Sequence, residues 1–186
     1  MTADLTTNLL QLIDQPLARY SALERYYAGS QPLAFLSPDA KKALGDRLGR
    51  MSSNIPRLAV NSVAERLRVT GFTGADVWAD WIRNDLDQLV PVLHREALLL
   101  GTGYALVWAG PDGRPQVSIE SARQCSMILD PGTRKPVAAA KRWTTDSTTE
   151  ATIFEPHQIT RLRANNTGAT TAGFKVIDQW ENTLGV

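Results

Sequence analysis

The sequence predicts an α+β fold: an N-terminal helical half packed on a mostly antiparallel C-terminal β-sheet. Two observations carry this. Apolar residues recur at helical spacing before about residue 100, whereas short alternating runs separated by turn residues follow it. The 186 residues are 43% hydrophobic and 21% charged, enough to bury a core and too apolar for wholesale disorder. The changeover near Gly101 divides the chain into a helical half, residues 1–100, and a β-rich half, residues 101–186.

Leu5, Leu9, Leu12, Ile13, Leu17, Tyr20, Leu23 and Tyr27 keep close to one helical stripe. Pro16 interrupts it and predicts a kink or restart, and Gly29 predicts its end. Ser37-Pro38-Asp39 starts a second helix, with a capping hydroxyl, a first-turn proline and an acid at the positive end of the dipole. Ala40, Leu44, Leu48 and Met51 form its expected buried face. Asn54 opens a third helix, with Ile55, Ala59, Val63 and Leu67 on its apolar side. A short strand is expected through Val69 and Phe72. A short helix carrying Val77, Trp78, Trp81 and Ile82 follows, then a longer one through Leu86, Leu89, Leu93, Ala97 and Leu100, bent at Pro91.

Tyr104–Trp108 and Val117–Glu120 flank the turn signal Gly110-Pro111-Asp112-Gly113 and predict a hairpin. Cys125, Met127 and Leu129 alternate as the inward side of a strand that turns at Asp130-Pro131-Gly132. Further strands are expected at Val137–Trp143, Ala151–Phe154, Ile159–Leu162 and Phe174–Trp180. The small polar stretch Ala164–Gly173 is expected to be a mobile loop.

Composition excludes several function classes. One cysteine, Cys125, leaves no internal disulfide and no cysteine-built metal site, and two histidines, His94 and His157, are too few for a His-rich site. Cys125 is better read as a small buried hydrophobe than as a nucleophile. Each histidine is more simply a backbone-bonded flank residue than a catalyst. Asp76, Asp80, Asp85 and Asp87 form an acidic group whose plain explanation is helix capping rather than cation binding. Gly101-Thr102-Gly103 lacks the third glycine of a dinucleotide fingerprint, since Leu106 stands there, and is expected to end a helix in a left-handed turn. No catalytic residue, metal site or cofactor is predicted. The N-terminus lacks a basic signal-peptide region, and the longest uncharged run, Ala97–Pro111, is 15 residues, short of the roughly 20 a membrane helix needs, so a cytoplasm-like compartment is expected.

Charge gives little more. The net charge is +1; residues 1–72 hold nine Lys and Arg against six Asp and Glu. Lys41, Lys42, Arg47, Arg50, Arg57, Arg66 and Arg68 make a mildly basic Lys41–Arg68 face, which carries the alternative reading of a small DNA-binding module. A small hydrolase or transferase built on Cys125 or the Asp76–Asp87 group is a second rival.

Taken in order, several segments resemble one family. They are Glu24-Arg25-Tyr26-Tyr27-Ala28-Gly29, Gln31-Pro32-Leu33, Phe35-Leu36-Ser37-Pro38, Asn54-Ile55-Pro56-Arg57-Leu58 and Ala64–Phe72. After them come Asn84-Asp85-Leu86-Asp87, His94-Arg95-Glu96-Ala97-Leu98, Gly101–Trp108, Asp112-Gly113-Arg114-Pro115, Asp130-Pro131 and Lys141-Arg142-Trp143. This succession resembles the N-terminal part of tailed-phage portal (head-to-tail connector) proteins, of the type found in siphophages and actinobacterial prophages.

The resemblance implies a structural, non-enzymatic wing-like domain in a portal subunit. It further implies a ring, usually of twelve subunits, at the capsid vertex through which DNA is packaged and ejected. The implied partners are other portal subunits, capsid protein, terminase and head–tail adaptor proteins, with no membrane. The implied location is the head–tail vertex of the virion, and the host cytoplasm during assembly. Glu181–Val186 resembles the family's Asn-Pro-Leu-Gly segment, with Thr183 in place of the proline, at the point where relatives continue towards stem helices. The chain is accordingly expected to be a truncated subunit, monomeric or weakly associated in isolation.

Overall fold

The computed structural model describes residues 2–31, 37–45 and 54–185. Leu48 and Met51, expected on the second helix's buried face, lie outside them, as do the resemblance segment 32–36 and Arg47 and Arg50. The described residues form an α+β structure of two compact units, one combining residues up to Leu17 with Tyr104–Val186, the other spanning Ala18–Gly103. The chain changes unit at Leu17 and again beyond Gly103, so the first helix belongs with the sheet.

In the sheet-bearing unit, helix α1 (Thr2–Asp14) precedes strands β1 (Tyr104–Ala109), β2 (Pro115–Glu120), β3 (Cys125–Leu129), β4 (Pro136–Thr144), β5 (Thr149–Phe154), β6 (Gln158–Ala164) and β7 (Lys175–Glu181). β1 and β2 form a hairpin; the other five make an antiparallel sheet in sequence order β3-β4-β5-β6-β7. Helix α1 lies against β3 and β4. Its Leu9, Leu10 and Ile13 are fully buried against Ala138, Ala140, Ala151, Ile153 and Leu162. The small alanines on β4 and β5 let the helix come close, and each buried leucine or isoleucine contributes about 1.5–3 kcal/mol. Two polar ties fix the packing. Ser126 Oγ donates to the Leu9 carbonyl at 2.7 Å, and the Arg142 guanidinium clasps both oxygens of Asp14.

The helical unit contains the rest of α2 (Leu17–Ala28), α3 (Pro38–Leu44), α4 (Ile55–Ala64), α5 (Trp78–Arg83) and α6 (Leu86–Leu100). Pro16 separates α1 from α2, so the kink expected there is a restart. Ser37 Oγ accepts from Ala40 N–H, the cap anticipated for α3. Asn54 does two jobs: its Oδ1 caps α4 through Arg57 N–H, and its Nδ2 donates to the Tyr27 carbonyl at 2.7 Å. Tyr27 returns a bond from its hydroxyl to Asn61 at 2.8 Å, locking α2 to α4. Helix α6 runs on through Pro91 and ends at Gly101, which is left-handed (φ 88°) as expected. Arg19 donates to the Leu100 carbonyl at 3.1 Å, a cation at the negative end of α6. At Gly103 a Cβ would stand 2.5 Å from Leu93 Cδ1, which explains the second glycine.

Four expectations need correction. No strand forms at Val69–Phe72; the segment is irregular and exposed, and among the described residues no strand pairs with its backbone. The apolar side of α4 is not buried: Ile55 is 66% and Leu58 68% exposed, and Ala59, Val63 and Leu67 are also exposed. On β3 it is Ser126 and Ile128 that face α1, while Met127 and Leu129 are more than a third exposed. The Ala164–Gly173 loop is pinned. Thr149 Oγ1 donates to the Asn166 carbonyl and accepts from Ala169 N–H, and Arg142 donates to the Thr170 carbonyl at 2.7 Å.

Candidate functional site

Strand alternation sends one side of the five-stranded sheet towards α1 and leaves the other with a different chemistry. The registers place Trp143, Glu150, Arg163 and Lys175 in one row across that second face. The next row holds Cys125, Lys141, Thr152, Arg161 and Asp178, and a third holds Met127, Ala139, Phe154, Ile159 and Trp180. Charge therefore concentrates at one end and apolar surface at the other.

At the charged end Glu150 is the organising group, its side chain only 7% exposed. Oε2 accepts from Nε and Nη2 of Arg161 at 3.1 and 2.6 Å; Oε1 accepts from Nε and Nη2 of Arg163 at 3.0 and 2.9 Å. The Arg161 hydrogen bonds, followed by those of Arg163, hold the Glu150 carboxyl below its ordinary range against the opposing effect of burial. One buried negative charge thus orients two guanidiniums that remain 43% and 41% exposed. Each arginine spends Nε and Nη2 on Glu150 and keeps its Nη1 amine for a further acceptor. Lys141 is engaged differently, paired with Glu120 at 2.7 Å and set over the Trp143 ring.

At the apolar end a groove of about 480 Å³ opens between β1 and the sheet. Leu106, Trp108, Met127, Phe154, Ile159 and Leu184 line it. Asn182 closes one end of this region: it is buried, its Nδ2 donates to the Glu155 and Gly185 carbonyls, and its Oδ1 accepts from Leu184 N–H. Residues 181–185 of the segment that resembles the family's Asn-Pro-Leu-Gly run are therefore tied together through Asn182. The arrangement is suited to holding a surface of matching shape and opposite charge, since its charged groups are fixed by one another rather than poised to exchange protons.

The residues singled out in the sequence are dispersed. Cys125 is a buried thiol at the start of β3, opposite Lys141. His157 is exposed at the β5–β6 turn, where its carbonyl accepts from Asn182 N–H. His94 lies on α6 with a buried Nδ1 that has no hydrogen-bond partner, so the expected backbone bond is not made through that nitrogen. Asp76, Asp85 and Asp87 are exposed and Asp80 pairs with Arg83 at 3.5 Å. Among the described residues no three His, Cys, Asp or Glu side chains gather as metal ligands. Lys42, Arg57, Arg66 and Arg68 of the basic face are exposed, with the Arg57 guanidinium 5.7 Å from the centre of the Tyr27 ring. Among the described residues no helix is long and apolar enough to cross a membrane.

The Glu150–Arg161–Arg163 cluster was missed in the sequence. Its signal was present: two arginines at i and i+2 on a strand share a face, and the preceding strand offers one glutamate.

The fold is of α+β class, with the five-stranded sheet backed by α1 on one face and carrying the arginine cluster and the groove on the other. The chain belongs to the phage portal protein family of SPP1 Gp6-like type, whose signature matches residues 9–183. That family is structural, and the match takes in all of the Ala18–Gly103 unit and most of the sheet-bearing one. No curated protein matches the chain.

Proposed function

We propose that this chain is the wing-like part of a portal subunit, its two units together serving a ring at the capsid vertex through which DNA is packaged and ejected. The ring is usually a dodecamer in the family. Capsid protein, terminase and head–tail adaptor proteins are its neighbours, assembled in the host cytoplasm and carried in the virion. The chain works without catalysis or cofactor: it supplies shape and contact while a separate motor supplies energy. The observation that carries this reading is the family match across residues 9–183. The Glu150-oriented arginine pair agrees with it, because a permanently engaged ion cluster suits a lasting contact.

Deleting the gene from the phage or prophage that carries it is expected to leave DNA-free heads, and restoring it in trans should restore packaging. DNA-filled heads at normal yield in the deletion would refute the proposal.

A further inference from the structure

The contact face described above has a counterpart on the other unit. Phe72, Trp78 and Trp81 form an aromatic cluster, the two indoles stacked at 6.2 Å and Phe72 tilted against both at 5.9 and 5.4 Å. Phe72, Trp78, Val77 and Ile82 are each more than a third exposed, and exposed clustered apolar side chains mark interaction sites. The same stretch, Phe72–Asp87, carries Asp76, Asp80, Asp85 and Asp87 against a single Arg83. It is an acidic, aromatic knob. The groove between β1 and the sheet is its chemical complement. It is apolar and of a volume that accepts compact apolar groups, the Lys141–Glu120 pair lines its edge, and Arg161 stands one row and Arg163 two rows further along the same face. Counting Lys141, Arg161, Arg163 and Lys175 against Glu120, Glu150 and Asp178, that face is net basic.

We infer that the groove on the sheet-bearing unit of one chain receives the Phe72–Asp87 knob of a second copy of the chain. The aromatic and aliphatic side chains enter the groove, and the aspartates meet the Nη1 amines of Arg161 and Arg163. Knob and groove are different surfaces, so the contact is head-to-tail. A contact of that kind leaves one knob and one groove unused on every pair and propagates until a rotation closes it into a ring. This deepens the portal reading and rests on it: it says which surfaces join neighbours. The tryptophans are the residues expected to dominate the contact. The arginines set its register and partner choice, because a like-charged knob would be repelled.

The test uses the whole chain and variants that leave buried groups alone. Wild type is expected to associate reversibly in sedimentation velocity, its weight-average sedimentation coefficient rising with concentration and the rise shrinking as salt is added. A groove variant, Met127→Glu with Leu184→Glu, and a knob variant, Asp76→Arg with Ile82→Arg, should each stay monomeric with unchanged circular dichroism. Mixed together they retain one good knob and one good groove, so they should form a one-to-one heterodimer and nothing larger. Wild type that stays monomeric throughout overturns the inference in favour of another occupant. Association that survives in either variant, or a mixture with no heterodimer, also overturns it. All of these leave the portal reading standing, because packaging in the gene deletion tests that separately.

Discussion

Replacing Glu150 with glutamine removes one charge while keeping the shape of the side chain. The structure makes the consequence calculable. In the wild type each carboxylate oxygen takes two N–H donors from one arginine. Glutamine keeps one such oxygen and turns the other into an amine that faces a guanidinium, donor against donor. One bidentate pair is lost and a repulsive contact replaces it. Hydrogen bonds to charged groups are worth about 1.5–3 kcal/mol, but water can reach both half-exposed guanidiniums and recover part of that. A net loss of about 2 kcal/mol in the sheet-bearing unit is expected. Trp143 lies across the β4–β5 pair from Glu150 and provides a local fluorescence probe for urea unfolding. The pH dependence has a definite sign. Because the folded carboxyl titrates below its ordinary 4.5, its stabilisation is complete above that pH and is lost as pH falls through the depressed folded value. The gap between wild type and Glu150→Gln should therefore be full at pH 7 and close progressively in acid. A gap below about 0.5 kcal/mol at pH 7, the range of ordinary surface substitutions, would mean that Glu150 does not hold the two arginines as described. So would a gap that is unchanged in acid.

Three further outcomes follow from the packing and charge. Leu10→Ala empties a fully buried site between α1 and the sheet, and should cost about 2–5 kcal/mol by denaturation, with faster hydrogen exchange in β3 and β4. Gly103→Ala sets a methyl 2.5 Å from Leu93 Cδ1 and 3.3 Å from the Leu93 carbonyl. It should lower stability by about 1–3 kcal/mol by thermal unfolding. The chain should show no salt-dependent binding of duplex DNA in a retention assay; binding that is lost when Lys41, Lys42, Arg47 and Arg50 are neutralised would support the DNA-binding alternative instead.

The parts of the fold that were legible in sequence are those set by local chemistry. Pro16, Gly29, Gly101, Ser37 and the Gly110–Gly113 and Asp130–Gly132 turns mark boundaries because each fixes a dihedral or a cap within a few residues. What was not legible depends on partners. The α4 stripe of Ile55, Ala59 and Val63 has helical periodicity, and periodicity defines a face without supplying something to cover it. The β3 alternation is equally silent on direction, since α1 takes the side with Ser126 and Ile128 while the groove takes the side with Cys125 and Met127. Val69 and Phe72 are strand-formers by composition, but a strand needs an edge to pair with, and among the described residues none pairs with them. The Ala164–Gly173 loop looked mobile because its residues are small and polar. The side chains that fasten it, Thr149 and Arg142, come from strands more than fifteen residues before its nearest bonded carbonyl or amide.

Of all these claims, the one that matters most is that the chain is a building block of the portal vertex, and an asymmetric cryo-electron microscopy reconstruction of the virion would test it most directly. Repeated copies of the α1-backed sheet, in the order β3-β4-β5-β6-β7, are expected around the channel axis at a single capsid vertex. Density for that vertex ring that is complete without these two units, or copies of this chain elsewhere in the particle and none at the vertex, would contradict it.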